Sequence, residues 1–289
     1  YLGRNSPACR HLAGQSIPCS TAGVAGRTCD ASGFALSCAT LPMATFTQRH
    51  DATADYFFRD VLSTVTRVDT EPIGCFAPVL PVDQLQRDQH GRRPGIIPDA
   101  WAELAMRRAV TERHARQPRQ PEQRRGHLFD VKTIQGGSWS YYDCPRARED
   151  QCGAVAERAH AVHPAYERHA AELDRTLTRD TRVRDHLRSF GRVRALVFGH
   201  YGEASADVHE LVSLAADAQA ASRWRYMGAR SQSEARSVFV ASVRRALSVI
   251  VHRERARHLL RRLCFVGVPR AALDARMAAQ RQAQAHARQ

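Results

Sequence analysis

Two short runs rich in β-branched and aromatic residues constrain the fold of this chain more than any other feature. His127–Ile134 is closed by a pair of glycines, and Gly191–Gly199 contains the continuous apolar stretch Ala195–Phe198. Runs of this length and composition are typical of strands buried in a sheet. They argue against a purely helical, Arg-rich scaffold and predict an α/β fold.

The segments around these runs predict helices and two further strands. Pro98 falls inside one predicted strand and favours an edge or a bulge there, because proline cannot donate to a ladder. Ser205 is a predicted N-cap. In chain order, the predicted elements are a helix over 49–65, strands over 65–71, 96–101 and 127–134, helices over 149–174 and near 180–190, a strand over 191–199, and helices over 205–222 and on to about 265.

Composition divides the chain into four parts. A Cys-rich lead-in over 1–47 precedes an α/β core over 48–222, an Arg-rich helical extension over 223–270 and a tail over 271–289 that we expect to be disordered. Four of the eight cysteines lie in the lead-in, and His11 and His50 are close enough to them in sequence to complete a structural Zn²⁺ site. The cysteine gaps of about ten residues are wider than those of a zinc knuckle, so free thiols are the alternative interpretation.

The chain carries a large excess of positive charge. Lys and Arg number 43 against 29 for Asp and Glu, a formal net charge of +14. This excess favours a polyanionic partner, nucleic acid first, although a GC-rich coding sequence would also enrich arginine. The candidates for phosphate contacts are the Arg-rich segments 92–93, 107–125, 223–230 and 244–262, and the candidates for stacking on bases are Trp101, Trp139 and Trp224.

The apolar runs and the N-terminal residues of the sequence predict where the protein is located. No stretch approaches the roughly 20 apolar residues that a membrane helix needs, so no membrane partner is expected. The chain starts at Tyr1 with neither an initiator Met nor a secretion signal, from which we expect a non-secreted, internal piece of a larger polyprotein. A disulfide framework is therefore not expected.

Asp99, Asp130 and Lys132 form the constellation with the most chemical content. Side chains alternate along a strand, so Asp130 and Lys132 project from one face while Phe129 and Val131 point into a core. Asp99 would lie beside them if the two predicted strands pair. Two adjacent carboxylates suit Mg²⁺ or Mn²⁺. Lys132, the only lysine in the chain, could position water, act as a base or neutralise phosphoryl charge.

Pro98-Asp99 followed by Asp130-x-Lys132, within the order helix, strand, strand, strand, helix, strand, resembles the PD-(D/E)xK restriction-like nuclease superfamily. The resemblance implies a mixed sheet flanked by helices, here with a helical C-terminal extension. It also implies that Asp99 and Asp130 bind the metal and that Lys132 serves the hydrolytic step. In that superfamily a further acid often completes the metal site, and the candidates here are Asp51, Asp55 and, favoured for its place at a strand end, Glu71.

A second resemblance covers roughly residues 25–135. Cys29, Gly33–Cys38, Arg49-His50-Asp51, Glu71-Pro72 and Arg93-Pro94 are similar, in this order, to the restriction-like endonuclease region at the end of some retrotransposon polyproteins. Phe34 stands where the related pattern commonly has a histidine. A zinc site in the lead-in would therefore need another ligand.

These observations together predict a Mg²⁺- or Mn²⁺-dependent DNA endonuclease of a mobile element. It would nick DNA, or an RNA–DNA intermediate, in a nuclear or nucleoid-associated setting. The alternative is a non-catalytic nucleic-acid-binding module on a decayed nuclease fold. In a purely structural interpretation, Asp99 caps a helix at Trp101, and Asp130 and Lys132 form a surface pair. The residues expected to contact nucleic acid are Arg49, His50, Arg92 and Arg93.

Overall fold

The computed structural model describes residues 7–18, 27–39, 41, 46–86, 96–104, 125–134, 151–177 and 182–269, and seven positions between 271 and 282. The elements of the described residues are, in chain order, α1 (Pro7–Arg10), β1 (Ser16–Ile17), β2 (Arg27–Thr28), α2 (Phe34–Cys38), α3 (Phe46–Tyr56) continued by a π-helical turn (Phe57–Val61) and a 3-10 turn (Leu62–Thr64), β3 (Val68–Thr70), α4 (Ile73–Phe76), α5 (Val82–Leu85), β4 (Ala100–Leu104), β5 (Arg125–Thr133), α6 (Gln151–Thr176), α7 (Val183–Ser189), β6 (Arg194–Phe198), α8 (Ala206–Arg223) and α9 (Gln232–Leu263).

A four-stranded mixed sheet in the order β3-β4-β5-β6 forms the centre of the fold. The pairs β3–β4 and β4–β5 are antiparallel, whereas β5 and β6 are parallel. A parallel pair needs a crossover connection, and here α6 and α7 lie between the two strands in the chain. The predicted mixed sheet flanked by helices, with a helical C-terminal region, is confirmed.

Each face of the sheet is covered by helices and forms its own core. On one face Leu128 of β5 packs with Val155 and Val162 of α6. On the other face Phe129 and Val131 of β5 pack with residues of α3, α8 and α9. The alternation along β5 therefore assigns its even-numbered residues, Asp130 and Lys132 included, to the face covered by α6. The predicted burial of Phe129 and Val131 is confirmed.

The second strand of the sheet begins later than the sequence predicts. It was predicted over 96–101, but the ladder starts at Ala100 and ends at Leu104. Pro98 has no backbone N–H to donate, and residues 96–99 precede the strand rather than belong to it. This shift places Asp99 immediately before the first paired residue of β4.

The described part of the lead-in packs against the end of α9. Cys9, Ile17, Cys29 and Leu36 share a small apolar core with Leu259. Burial, followed by the nearby Cys9 and Asp30, raises the pKa of the Cys29 thiol to about 11. The lead-in and the C-terminal extension, which the sequence divides into separate parts, therefore stabilise one another.

Two further observations concern the C-terminal region and the membrane prediction. The described positions between 271 and 282 have helical backbone, whereas the sequence predicts disorder from 271 onward. A membrane-spanning helix does not occur among the residues that the structure describes.

Candidate active site

Asp99, Asp130 and Lys132 lie together at one end of the sheet. The Lys132 Nζ is 2.8 Å from Asp130 Oδ1 and 2.6 Å from Asp130 Oδ2. Asp99 Oδ2 accepts a hydrogen bond of 2.6 Å from the backbone N–H of Val131, the residue between the other two. The three groups that the sequence singles out are therefore neighbours, as the pairing of the two strands requires.

The register of the sheet explains this convergence. Ala100 is paired with Phe129 in the antiparallel β4–β5 ladder, so the preceding Asp99 comes level with Asp130. On the other side Thr70 is paired with Ala100, and the N–H of Glu71 donates to the Asp99 carbonyl at 2.8 Å. The backbones at the ends of three neighbouring strands are thus aligned. Glu71 lies beside Asp99, and Asp99 lies beside Asp130.

Asp130 is the most deeply buried of these groups. Its side chain is only 4% exposed, against 28% for Asp99 and 34% for Lys132. Burial raises the pKa of Asp130, and the charge of Asp99 acts in the same direction. Lys132 and a hydrogen bond from Tyr166 act against this rise. The electrostatic environment of this carboxylate therefore favours an additional positive charge.

Tyr166 belongs to the site, although no functional role is predicted for it from the sequence. Its hydroxyl, on α6, donates to Asp130 Oδ1 at 2.8 Å. Burial and the negative charge of Asp130 raise the pKa of Tyr166 well above its usual value, so its O–H remains a donor. Helical spacing had placed Tyr166 on the apolar face of its helix, and a tyrosine on such a face often brings a polar tip to a buried partner.

His50 contacts Asp99 in this structure. Its Nε2 lies 3.2 Å from Asp99 Oδ2, and its Nδ1 lies 3.1 Å from Asp51 Oδ1. The hydrogen bond to Asp99 is the main cause that raises the pKa of His50 to about 9. Although burial raises the pKa of Asp99, its interactions with His50, Val131 and Lys132 together lower it. The pair is therefore charged at neutral pH.

The other predicted site residues are placed differently. Glu71 is exposed, with φ at 52°, and its backbone N–H donates to the carbonyl of Asp99. Asp55 lies 3.7 Å from Arg59 on the surface of α3. Arg49, expected to contact nucleic acid, is only 3% exposed and lies in the interior. The predicted contacts Arg92 and Arg93 lie outside the described residues.

The donor set at this site fits a hard divalent cation. Mg²⁺ is commonly bound by one or two carboxylates, with water and substrate phosphate as the remaining ligands. Asp99 and Asp130 provide two carboxylates. Lys132 does not fully offset the cost of burying the charge of Asp130. A group of three His, Cys, Asp or Glu side chains with the geometry of a metal site does not occur among the described residues. Within the part of the chain that the structure describes, Asp99 and Asp130 are the carboxylates at this site that could hold such a cation.

Neither a family model nor a curated protein nor a solved structure matches this chain. The fold and the site define a mixed α/β protein with a buried acid, a second acid and a lysine at one sheet end.

Proposed function

We propose that this chain is a metal-dependent DNA endonuclease with a restriction-endonuclease-like topology, related to the PD-(D/E)xK superfamily. The observation that carries the proposal is the convergence of Asp99, Asp130 and Lys132 from two paired strands. Both carboxylates are held by hydrogen bonds from the protein, Asp99 from the backbone N–H of Val131 and Asp130 from Lys132. The strand directions, two antiparallel pairs and one parallel pair with a helical crossover, support the same topology.

Asp99 and Asp130 would hold Mg²⁺ or Mn²⁺. When bound, the metal polarises the phosphodiester and lowers the pKa of a bound water. Tyr166 orients Asp130, and His50 orients Asp99, so both carboxylates are fixed before a substrate arrives. Preorganised charges of this kind act on the transition state without the cost of reorganisation.

Lys132 is the side chain that would contact the scissile phosphate. Its side chain is 34% exposed, although its ammonium contacts the buried Asp130. An ammonium next to the scissile phosphate can donate to a non-bridging oxygen and orient the attacking water. The excess of positive charge, +14 for the chain, favours the approach of DNA. A place within a mobile-element polyprotein and a nuclear or nucleoid-associated location are part of the same proposal.

Cleavage of supercoiled plasmid with Mg²⁺ or Mn²⁺ tests this proposal. The proteins to compare are the parent, Asp130→Asn, Lys132→Ala and the control Asp60→Asn, which removes an exposed acid of the turn that follows α3. We expect nicking by the parent and the control, abolished by EDTA. Loss of Asp130 or Lys132 is expected to slow nicking by at least about a hundredfold, the usual effect of a group acting in the transition state.

Two other results would speak against hydrolysis at this site. Equal nicking by all four proteins would indicate a contaminant or another site. DNA binding without nicking by any of them, together with no difference in Mn²⁺ affinity between the parent and Asp130→Asn, would favour the non-catalytic binding module.

A further inference from the structure

The turn that joins α8 to α9, residues 223–230, exposes aromatic and basic side chains together. We call it the α8–α9 tip. Tyr226 is 93% exposed. Next to it, the guanidinium of Arg225 lies over the ring of Trp224, 5.1 Å from its centroid. Folding gains almost nothing from a tyrosine in this position, because almost none of its surface is buried.

The tip is a fixed structure. Gly228 has φ at 67°, the left-handed conformation in which glycine is favoured. At the start of α9, Ser231 Oγ accepts from the N–H of Glu234, and Glu234 Oε2 accepts from the N–H of Arg230. The backbone hydrogen bonds across the turn are Met227 N–H to Arg223 O, Gly228 N–H to Arg225 O and Ala229 N–H to Trp224 O, at 3.1, 3.1 and 3.2 Å. The backbone that carries the aromatic side chains is therefore ordered before a ligand binds, so binding need not order it.

The α8–α9 tip carries more basic than acidic side chains. Residues 218–233 contain three arginines and neither Asp nor Glu. Both carboxylates that flank this segment already accept hydrogen bonds. Asp217 accepts one of 2.6 Å from Arg236, and Glu234 accepts from the backbone N–H of Arg230. The excess of arginine at the tip favours a polyanionic ligand.

We propose that the α8–α9 tip binds single-stranded nucleic acid. Tyr226 and the Trp224–Arg225 pair would stack on unpaired bases, while Arg223 and Arg230 would contact phosphates. Stacking needs an open base face, which a base inside a duplex does not offer. A segment that binds a membrane surface carries several large apolar side chains, Leu and Phe among them, and residues 223–230 contain neither of these. Here arginine and tyrosine are the exposed large residues.

The tip lies away from the acidic site. Gln219, in the last turns of α8, donates to the carbonyl of Thr64, close to the start of β3. Val68, the first residue of β3, is paired with Ala102 of β4, and Ala102 is paired with His127 of β5. Lys132 lies five residues further along β5. At about 3.3 Å per residue, Lys132 is roughly 17 Å from His127 along the strand. The inference thus goes beyond the proposed hydrolysis and concerns a second contact region.

Fluorescence anisotropy in EDTA tests the proposal without any contribution from cleavage. The probes are a labelled oligothymidylate, an oligouridylate of equal length and a labelled duplex. The variants are Tyr226→Ser, Tyr226→Trp and Arg225→Ala, with Arg175→Ala on α6 as a control that removes an equal charge from an exposed helix position. Thermal unfolding of each variant establishes that it is folded.

We expect Tyr226→Ser to weaken single-strand binding about tenfold and to leave duplex binding almost unchanged. Tyr226→Trp keeps the parent affinity, because it keeps a stacking ring. Arg225→Ala removes the cation that lies over the Trp224 ring, and we expect it to weaken single-strand binding more than Arg175→Ala does. The stronger of the two single-stranded probes identifies DNA or RNA as the preferred ligand.

Three results would overturn the proposal. The first is parent-like single-strand binding by both Tyr226→Ser and Arg225→Ala. The second is an equal loss of duplex and single-strand affinity in Tyr226→Ser, which would indicate charge alone. The third is a loss of binding to phosphatidylserine vesicles in Tyr226→Ser without any change for the oligonucleotides. Binding is measured without a metal. The absence of plasmid cleavage would therefore not change the interpretation of these binding results.

Discussion

His50 and Asp99, 49 residues apart in the chain, face one another across 3.2 Å between Nε2 and Oδ2. The contact joins α3 to the segment that enters β4. Both side chains are little more than a quarter exposed. This pair fixes the helix that covers one face of the sheet to the carboxylate on which the proposed chemistry depends.

A double-mutant cycle on His50→Gln and Asp99→Asn, in EDTA, measures the strength of this contact. We expect a coupling free energy on the order of 1 kcal/mol at neutral pH, because the pair is partly buried. Folding raises the pKa of His50 from 6.5 to about 9. The stabilisation is therefore complete below pH 6.5 and is lost as the pH rises through about 9. The exposed Asp55–Arg59 pair is the control and should show almost no coupling.

Tyr166→Phe removes the hydroxyl that donates to Asp130. A hydrogen bond to a charged acceptor contributes about 1.5–3 kcal/mol, so we expect a lower unfolding temperature and slower nicking. The comparison is Tyr56→Phe, which removes a partly exposed hydroxyl from α3. Equal unfolding temperatures for the two variants would show that Tyr166 does not hold Asp130.

Local patterns predict much of this site. Alternation along β5 predicts that Asp130 and Lys132 share a face and that Phe129 and Val131 are buried on the other, and the structure shows both. The place of Asp99 beside them depends on the pairing of β4 with β5. Neighbouring strands in a chain pair often enough for this to be a reasonable expectation.

Long-range packing is what the sequence does not specify. Tyr166 lies 36 residues from Asp130, and periodicity places it on an apolar helix face without identifying what that face covers. Arg49 and His50 are adjacent on α3, so they point in different directions. One is buried and the other reaches Asp99. The contact between the lead-in and α9 joins residues more than two hundred positions apart, beyond any local signal.

His200 should make the protein sensitive to acid. It is 1% exposed, and its ring lies against those of Phe34 and Tyr201. Burial, followed by the charges of Arg255, Arg49 and His252, lowers its pKa from 6.5 to about 3. Because the unfolded chain then binds the extra proton, stability is complete above pH 6.5 and falls as the pH drops toward about 3.

The expected slope of unfolding free energy from this histidine is at most about 1.4 kcal/mol per pH unit. Urea unfolding of the parent and of His200→Phe over this acid range measures it. The variant keeps an aromatic ring and should have the shallower dependence, while the exposed control His160→Phe should follow the parent. If the free energy of unfolding depends on pH in the same way for all three proteins, His200 is not the source of the acid sensitivity.

Arg262 should determine whether the lead-in remains docked. This buried side chain, 3% exposed, donates through Nη1 to the carbonyls of Leu36, Ser37 and Ala39, at 2.8, 3.2 and 2.7 Å. Arg262→Met would fill much of the same volume and leave the carbonyls of Leu36 and Ala39 without this donor, whereas Ser37 O still accepts from the ring of His258. Since each buried carbonyl without a donor costs about 1–3 kcal/mol, the lead-in should open well before the sheet unfolds.

Hydrogen exchange measures this directly. In Arg262→Met we expect faster exchange over α2, while the β5 and β6 amides keep the protection of the parent. Arg261→Ala is the matched control, because Arg261 is an exposed neighbour on the same helix and contacts Gln48. If both variants exchange like the parent over α2, then the apolar core around Leu36 and Leu259 is sufficient to hold the lead-in. If α2 and the sheet lose protection together, the lead-in unfolds with the sheet as one cooperative unit.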